Sequence, residues 1–163
     1  MGNYTADFRS QHGRLLEKAT TLLQMAEQLA SMPDGSRSSY AFDTRLQLVG
    51  LMACLSTHLV MEDQGLYPYM QRATEQHTRD IAKRFQEEMG GIGAVVKTYA
   101  DKWTDDAMAA SPDGFLPETK GLIAALGARI ERENKELYPL ADQTSFLAIR
   151  ENELLGSPNS SAV

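Results

Sequence analysis

The chain has 163 residues, 42% of them hydrophobic and 23% charged, with a formal net charge of −6. That is one domain's worth of chain with apolar material for a substantial core, and its acidic balance argues against nucleic acid as a partner. The single cysteine, Cys54, excludes an internal disulfide and fits a reducing compartment. No apolar run approaches the roughly 20 residues of a bilayer span, and the first residues lack the basic-then-apolar order of a signal peptide. The expectation is a cytoplasmic protein with no membrane partner.

Four segments carry a helical period. The first spans about residues 4–31, with Phe8, His12, Leu15, Ala19, Leu22, Ala26 and Leu29 at alternating spacings of four and three, which is one face of a helix. Met32-Pro33-Asp34-Gly35-Ser36 then has turn composition. The second, about 40–72, carries Leu48, Leu51, Leu55, His58, Glu62, Leu66 and Tyr69, and Pro68 is expected to bend or end it. The third, about 75–104, carries Ile81, Phe85, Met89, Ile92, Val96, Tyr99 and Trp103. Gly90, Gly91 and Gly93 interrupt its middle at about 1 kcal/mol each relative to Ala, either for close helix approach or to leave room for a small ligand.

Ser111-Pro112-Asp113-Gly114 is a further turn signal, and the fourth segment, about 117–141, opens on Pro117-Glu118. It carries Leu122, Leu126, Arg129, Glu133, Leu137 and Leu140. A short fifth helix is expected over 145–155 and a frayed tail over 157–163, leaving one domain at 1–156. The fold class expected is all-α, an up-down-up-down four-helix bundle.

The apolar seams carry five ionisable residues: His12, His58, Glu62, Arg129 and Glu133. A buried ionisable group needs a partner or a metal, and antiparallel packing brings these five to one interior layer. Two of the seams share a phrase, E-x-x-x-L-Y-P, at Glu62–Pro68 and again at Glu133–Pro139. Four residues before the first copy stands His58, which with Glu62 suits a metal on one helix face. Four before the second stands Arg129, which stays protonated and has no lone pair to give.

In order and spacing these elements resemble the hemerythrin-like HHE cation-binding family, over about residues 5–141. Gln11-His12-Gly13-Arg14-Leu15 is similar to its first His element, and His58-Leu59-Val60-Met61-Glu62-Asp63 to its second. The third and fourth elements depart from the pattern, with Met89 and Arg129 where that family has His. The resemblance implies two irons sharing bridging carboxylates, one held by the first two helices and one by the last two. Both departures fall in the second half, so the expected site is one ion, iron or zinc, held by His12, His58, Glu62 and Glu133. His77 is expected near the bundle end, and Glu87 and Glu88 off the seam.

Other residues read as structural. Met25, Met52, Met61 and Met70 fill core gaps, Phe8 and Trp103 cap core layers, and Tyr67 and Tyr138 pack or support the site from outside. Cys54 points off the seam. No nucleophile–base pair, phosphate loop or nucleotide fingerprint occurs, so the reading is a non-enzymatic protein binding a metal and dioxygen or another small ligand. Two alternatives stay open: a metal-free regulatory or interaction bundle in which Arg129 pairs with Glu62 and Glu133, and a small oxidase, which needs an open coordination position.

Overall fold

Alternating spacings of three and four turn one stripe of each segment inward, and in the first segment the whole stripe is buried. In the computed structural model, which describes residues 4–144, helix α1 (Ala6–Ser31) buries Phe8, His12, Leu15, Ala19, Leu22, Ala26 and Leu29. Every described element is helical and no strand occurs among the described residues. The expected fifth helix and the tail lie outside them.

Helix α2 (Arg37–Met61) packs against α1, with Gln47 Nε2 donating to Lys18 O at one end and Gln11 Nε2 to Met61 Sδ at the other. Met61 is thus an exposed partner of Gln11, not the core filler expected. Pro68 does not end the helix. A π turn at Glu62–Leu66 carries the chain into α3 (Tyr67–Met70), with Tyr67 N–H reaching Glu62 O. A proline has no N–H for the residue four before it, and its ring crowds that carbonyl. A widened turn ahead of it absorbs both problems.

The widened turn also shifts the inward stripe by one residue. Leu66 and Tyr67 are both buried, followed by Met70, while the expected Tyr69 is only half-buried. The second copy of the phrase repeats this: α7 (Pro112–Arg132), a π turn at Glu133–Leu137, then α8 (Tyr138–Thr144). Leu137, Tyr138 and Ala141 are buried there, and Leu140 is not fully so.

The third expected helix is two. Gly90-Gly91 separates α4 (Gln76–Met89) from α5 (Ile92–Lys102), since two glycines weaken a helix where they fall together. A further short helix, α6 (Asp105–Ala110), follows, its N-cap Thr104 accepting from Ala107 N–H at 3.2 Å. The last long helix starts at Pro112, not Pro117, because Ser111-Pro112 supplies the first-turn proline. Helix α1 packs on α2 and α7, α2 on α5 and α6, and α3 on α4.

The core falls into two apolar clusters, one around Leu15, Leu22, Leu48, Leu55 and Phe115, the other around Phe8, Tyr67, Phe85 and Tyr138. Trp103 and Met108 belong to the first. The continuous helix Asp34–Met70 is, by length and composition, apolar enough to cross a membrane, contrary to the expectation from run length. Its inward stripe carries His58 and Glu62, and its outer stripe exposes Phe42, Leu46, Val49 and Val60.

Candidate metal centre

Five ionisable side chains meet where the two apolar clusters join. His12 comes from α1, His58 from the last turn of α2, and Arg129 from the last turn of α7. Glu62 and Glu133 each open a π turn. All five are buried, with Glu62 and Glu133 at 0% exposure and Arg129 at 5%. One ligand atom from each of His12, His58, Glu62 and Glu133 lies within 4.8 Å of the others. All four residues expected at the site are therefore together. His77, Glu87 and Glu88 are exposed and Cys54 is half-buried, and none of them joins the cluster.

Two amides fix the histidines. His12 Nδ1 lies 3.0 Å from Asn134 Oδ1, and His58 Nδ1 lies 2.9 Å from Gln11 Oε1. An amide oxygen only accepts, so in each ring Nδ1 carries the proton that the amide receives. The two Nε2 atoms face one another at 3.1 Å. That separation puts both nitrogens within reach of one shared cation or proton. Burial and the neighbouring His12 push His58 down to about 4, so the His58 ring is neutral near pH 7.

The carboxylates are divided in the same sense. Arg129 Nε donates to Glu133 Oε1 at 2.6 Å and Arg129 Nη2 to Glu62 Oε2 at 2.8 Å. Each carboxylate thus gives one oxygen to the guanidinium and turns the other toward the imidazoles. Glu62 Oε1 is 3.5 Å from His58 Nε2, and Glu133 Oε2 is 3.1 Å from His12 Nε2. The latter approach is close but off the hydrogen-bonding direction, and Glu133 Oε2 accepts no hydrogen bond. Burial and the Glu133 charge push the Glu62 carboxyl up to about 7, against the pull of Arg129.

Tyr138 enters this layer through the shifted register of the second π turn. Its hydroxyl donates to Glu62 Oε1 at 2.9 Å and sits 3.0 Å from His12 Nε2. A packing or supporting role was expected of it, and the widened turn ahead of Pro139 is what brings its hydroxyl onto Glu62 and His12. Gln11 and Asn134, which the sequence reading missed, are each next to a seam residue, His12 and Glu133. A polar neighbour of a buried histidine or carboxylate was the signal available.

Arg129 Nη1 also donates to Met89 O at 3.2 Å. The break at Gly90-Gly91 ends α4 there and leaves that carbonyl without a helical partner. Gly91 has open space where a Cβ would be, and a Cβ on Gly93 would meet Leu59 Cδ1 at an ordinary 3.5 Å. Gly91 therefore leaves room and Gly93 lies at ordinary contact distance from α2, while a Cβ on Gly90 would press on Gln86 O at 3.1 Å.

The donor set suits a metal ion. Ligands at about 2.0–2.2 Å from an ion stand about 2.9–3.6 Å apart along the edges of its coordination sphere, and the separations of 3.1 and 3.5 Å fall in that range. Two carboxyl groups face one guanidinium in this layer, and a divalent ion would add positive charge beside them. A second ion would compete with Arg129 for the carboxylate oxygens it already holds.

A protein-family description, the hemerythrin HHE cation binding domain, matches residues 3–141. No curated protein and no solved structure matches the chain.

Proposed function

The chain belongs to the hemerythrin HHE cation-binding family, and on that premise we propose that it binds one metal ion, iron in the first place or zinc, through His12, His58, Glu62 and Glu133. The observation that carries this is the facing pair of imidazole Nε2 atoms, 3.1 Å apart with both Nδ1 protons committed to amide oxygens. Two imidazole nitrogens and two carboxylate oxygens, one of them without a hydrogen bond, converge there as donors for a cation. Two His and one or two carboxylates are a recognised non-haem set. The antiparallel contacts of α1 with α2 and α7 support the up-down-up-down bundle as part of this reading.

A bound ferrous ion would supply a centre for dioxygen or a similar small ligand. The chain's own residues do the rest. Asn134 and Gln11 hold the rings in their tautomer, Arg129 holds the outer oxygen of each carboxylate, and Tyr138 offers a hydroxyl at the rim of the site. These roles hold and orient an ion, so we read a binding, sensing or metal-handling protein of the cytoplasm. Elemental analysis and a visible spectrum of protein purified without chelators test it. About one metal per chain is the expected result, and two irons per chain overturns it.

One observation favours a second reading, a metal-free regulatory bundle. Arg129 already bridges Glu62 and Glu133, which neutralises one of the two charges a metal would. That reading expects no bound metal and a thermal transition indifferent to chelator.

A further inference from the structure

Helix α2 carries a second stripe, on the side away from the bundle. Phe42, Leu46, Val49, Ala53, Ser56 and Val60 follow one another at alternating spacings of four and three, and all are exposed, Leu46 by 55%. From Leu46 to Met61 the chain has no Asp, Glu, Lys or Arg. At 1.5 Å per residue the strip is about 27 Å long, and at a helix width of about 10 Å it covers on the order of 300 Å². A largely apolar patch of that order marks a contact surface. Phe42, Leu46 and Val49 make its first half bulky, while Ala53 and Ser56 leave a gap before Val60. Beside that gap, Ala53 and Thr57 border a hollow of about 280 Å³ whose far wall is Gln11, Arg14 and Leu15 of α1. At about 30 Å³ per water, it has room for a side chain from another molecule.

We propose that the strip is a dimer interface whose occupant is a second copy of this chain, its α2 packed antiparallel about a two-fold axis at Leu51. That register sets Leu46 against Ser56 and Val49 against Ala53, and it aims Phe42 of each copy at the Thr57–Val60 end of the other. A two-fold contact uses one patch twice, so the bulky half and the gap fill one another. A foreign helix would need only one of the two. Gln47 and Gly50 mark the side of α2 that faces α1, and Asp43 lies on that side by its spacing. Antiparallel pairing brings the two α1 flanks together, so exposed Asp43 approaches exposed Arg14 of the second copy. Asp43 and Asp63 near the two ends, with a net charge of −6, disfavour an anionic lipid surface. The strip is smaller than the roughly 800 Å² per partner of a standard stable interface, so the dimer is reversible.

The test is sedimentation equilibrium of the full-length protein from about 1 to about 200 µM, the range in which an interface of this size dissociates. The average mass should climb from 18.0 kDa toward twice that value. Leu46→Glu places a charge in the seam and should weaken the dimer roughly tenfold or more, with an unchanged circular dichroism spectrum because Leu46 is exposed. In a Cys54→Ser background, Val49→Cys protein mixed with Ala53→Cys protein and treated with diamide should form the mixed disulfide in preference to either like pair. A mass of one chain at every concentration overturns the proposal, and flotation of that monomer with phosphatidylcholine–phosphatidylglycerol vesicles would assign the strip to lipid instead. A dimer that ignores Leu46→Glu, or like pairs that link as readily as the mixed pair, also overturns it.

Discussion

Arg129 and Glu133, one helical turn apart, share a hydrogen bond of 2.6 Å that uses Oε1 and leaves Oε2 facing His12 without a hydrogen bond. The guanidinium therefore holds the outer edge of the carboxylates and leaves their inner edge to the imidazoles. Four residues before the second copy of the repeated phrase, an arginine supplies positive charge to both buried carboxylates.

Replacing Arg129 by Leu leaves two buried carboxylates with no cation. Metal-free protein should lose about 3–5 kcal/mol, read as a large fall in the midpoint of thermal unfolding. Added zinc should restore more of that loss than it adds to wild type, since the variant's layer carries an extra negative charge. Equal stabilisation of both proteins by zinc would count against Arg129 standing in for an ion.

Asn134→Ala and Gln11→Ala each free one imidazole from its amide. Groups that orient metal-bound histidines are worth roughly 10–100-fold in affinity, so each variant should lose about that much in a competition with a chromophoric chelator. Stability without metal should fall by about 1 kcal/mol for Asn134→Ala, which removes one side-chain hydrogen bond, and only slightly more for Gln11→Ala, which also removes the exposed contact with Met61 Sδ. Unchanged zinc affinity in both would remove these two residues from the site.

The two tyrosines of the repeated phrase should behave differently. Tyr138→Phe strips a donor from buried Glu62 and should cost about 1–3 kcal/mol in the metal-free protein. Tyr67→Phe removes a hydroxyl with no hydrogen-bond partner and should leave the stability of that protein unchanged or slightly raised. Denaturant unfolding of the two variants side by side decides the matter, and equal losses would contradict the geometry.

Metal uptake should depend on pH through Glu62. Burial and Glu133 push its carboxyl up to about 7, so below that pH a metal must displace a proton from it, while His58, down to about 4, offers a free lone pair. Affinity should rise as pH rises to about 7 and then level off. Calorimetry in buffers of different ionisation enthalpy should find about one proton released at pH 6 and far less at pH 8. A release that does not fall with pH would assign the proton elsewhere.

Much of the site was legible in the sequence because a polar residue on an apolar stripe is visible without coordinates. His12, His58, Glu62, Arg129 and Glu133 each stand between hydrophobic neighbours at helical spacing, and burial follows from that spacing. Tyr69 and Leu140 were expected on the stripe and miss it because a constant period cannot register the extra residue of a π turn. The same turn hides Tyr138, whose inward position depends on how the chain accommodates Pro139. Gly90 and Gly91 announced a weakness in the third helix, but a break and a tight approach look alike in composition.

The sequence by itself determined the all-α class, the inward stripes before each π turn and the identity of the ionisable residues that must be buried together. These follow from periodicity and from the cost of burying charge. Tertiary structure alone decided which oxygen of each carboxylate goes to Arg129, which nitrogen of each ring stays open, and which tyrosine enters the layer. Those choices depend on hydrogen-bond directions between residues far apart in the chain, for which no local pattern in the sequence carries the geometry.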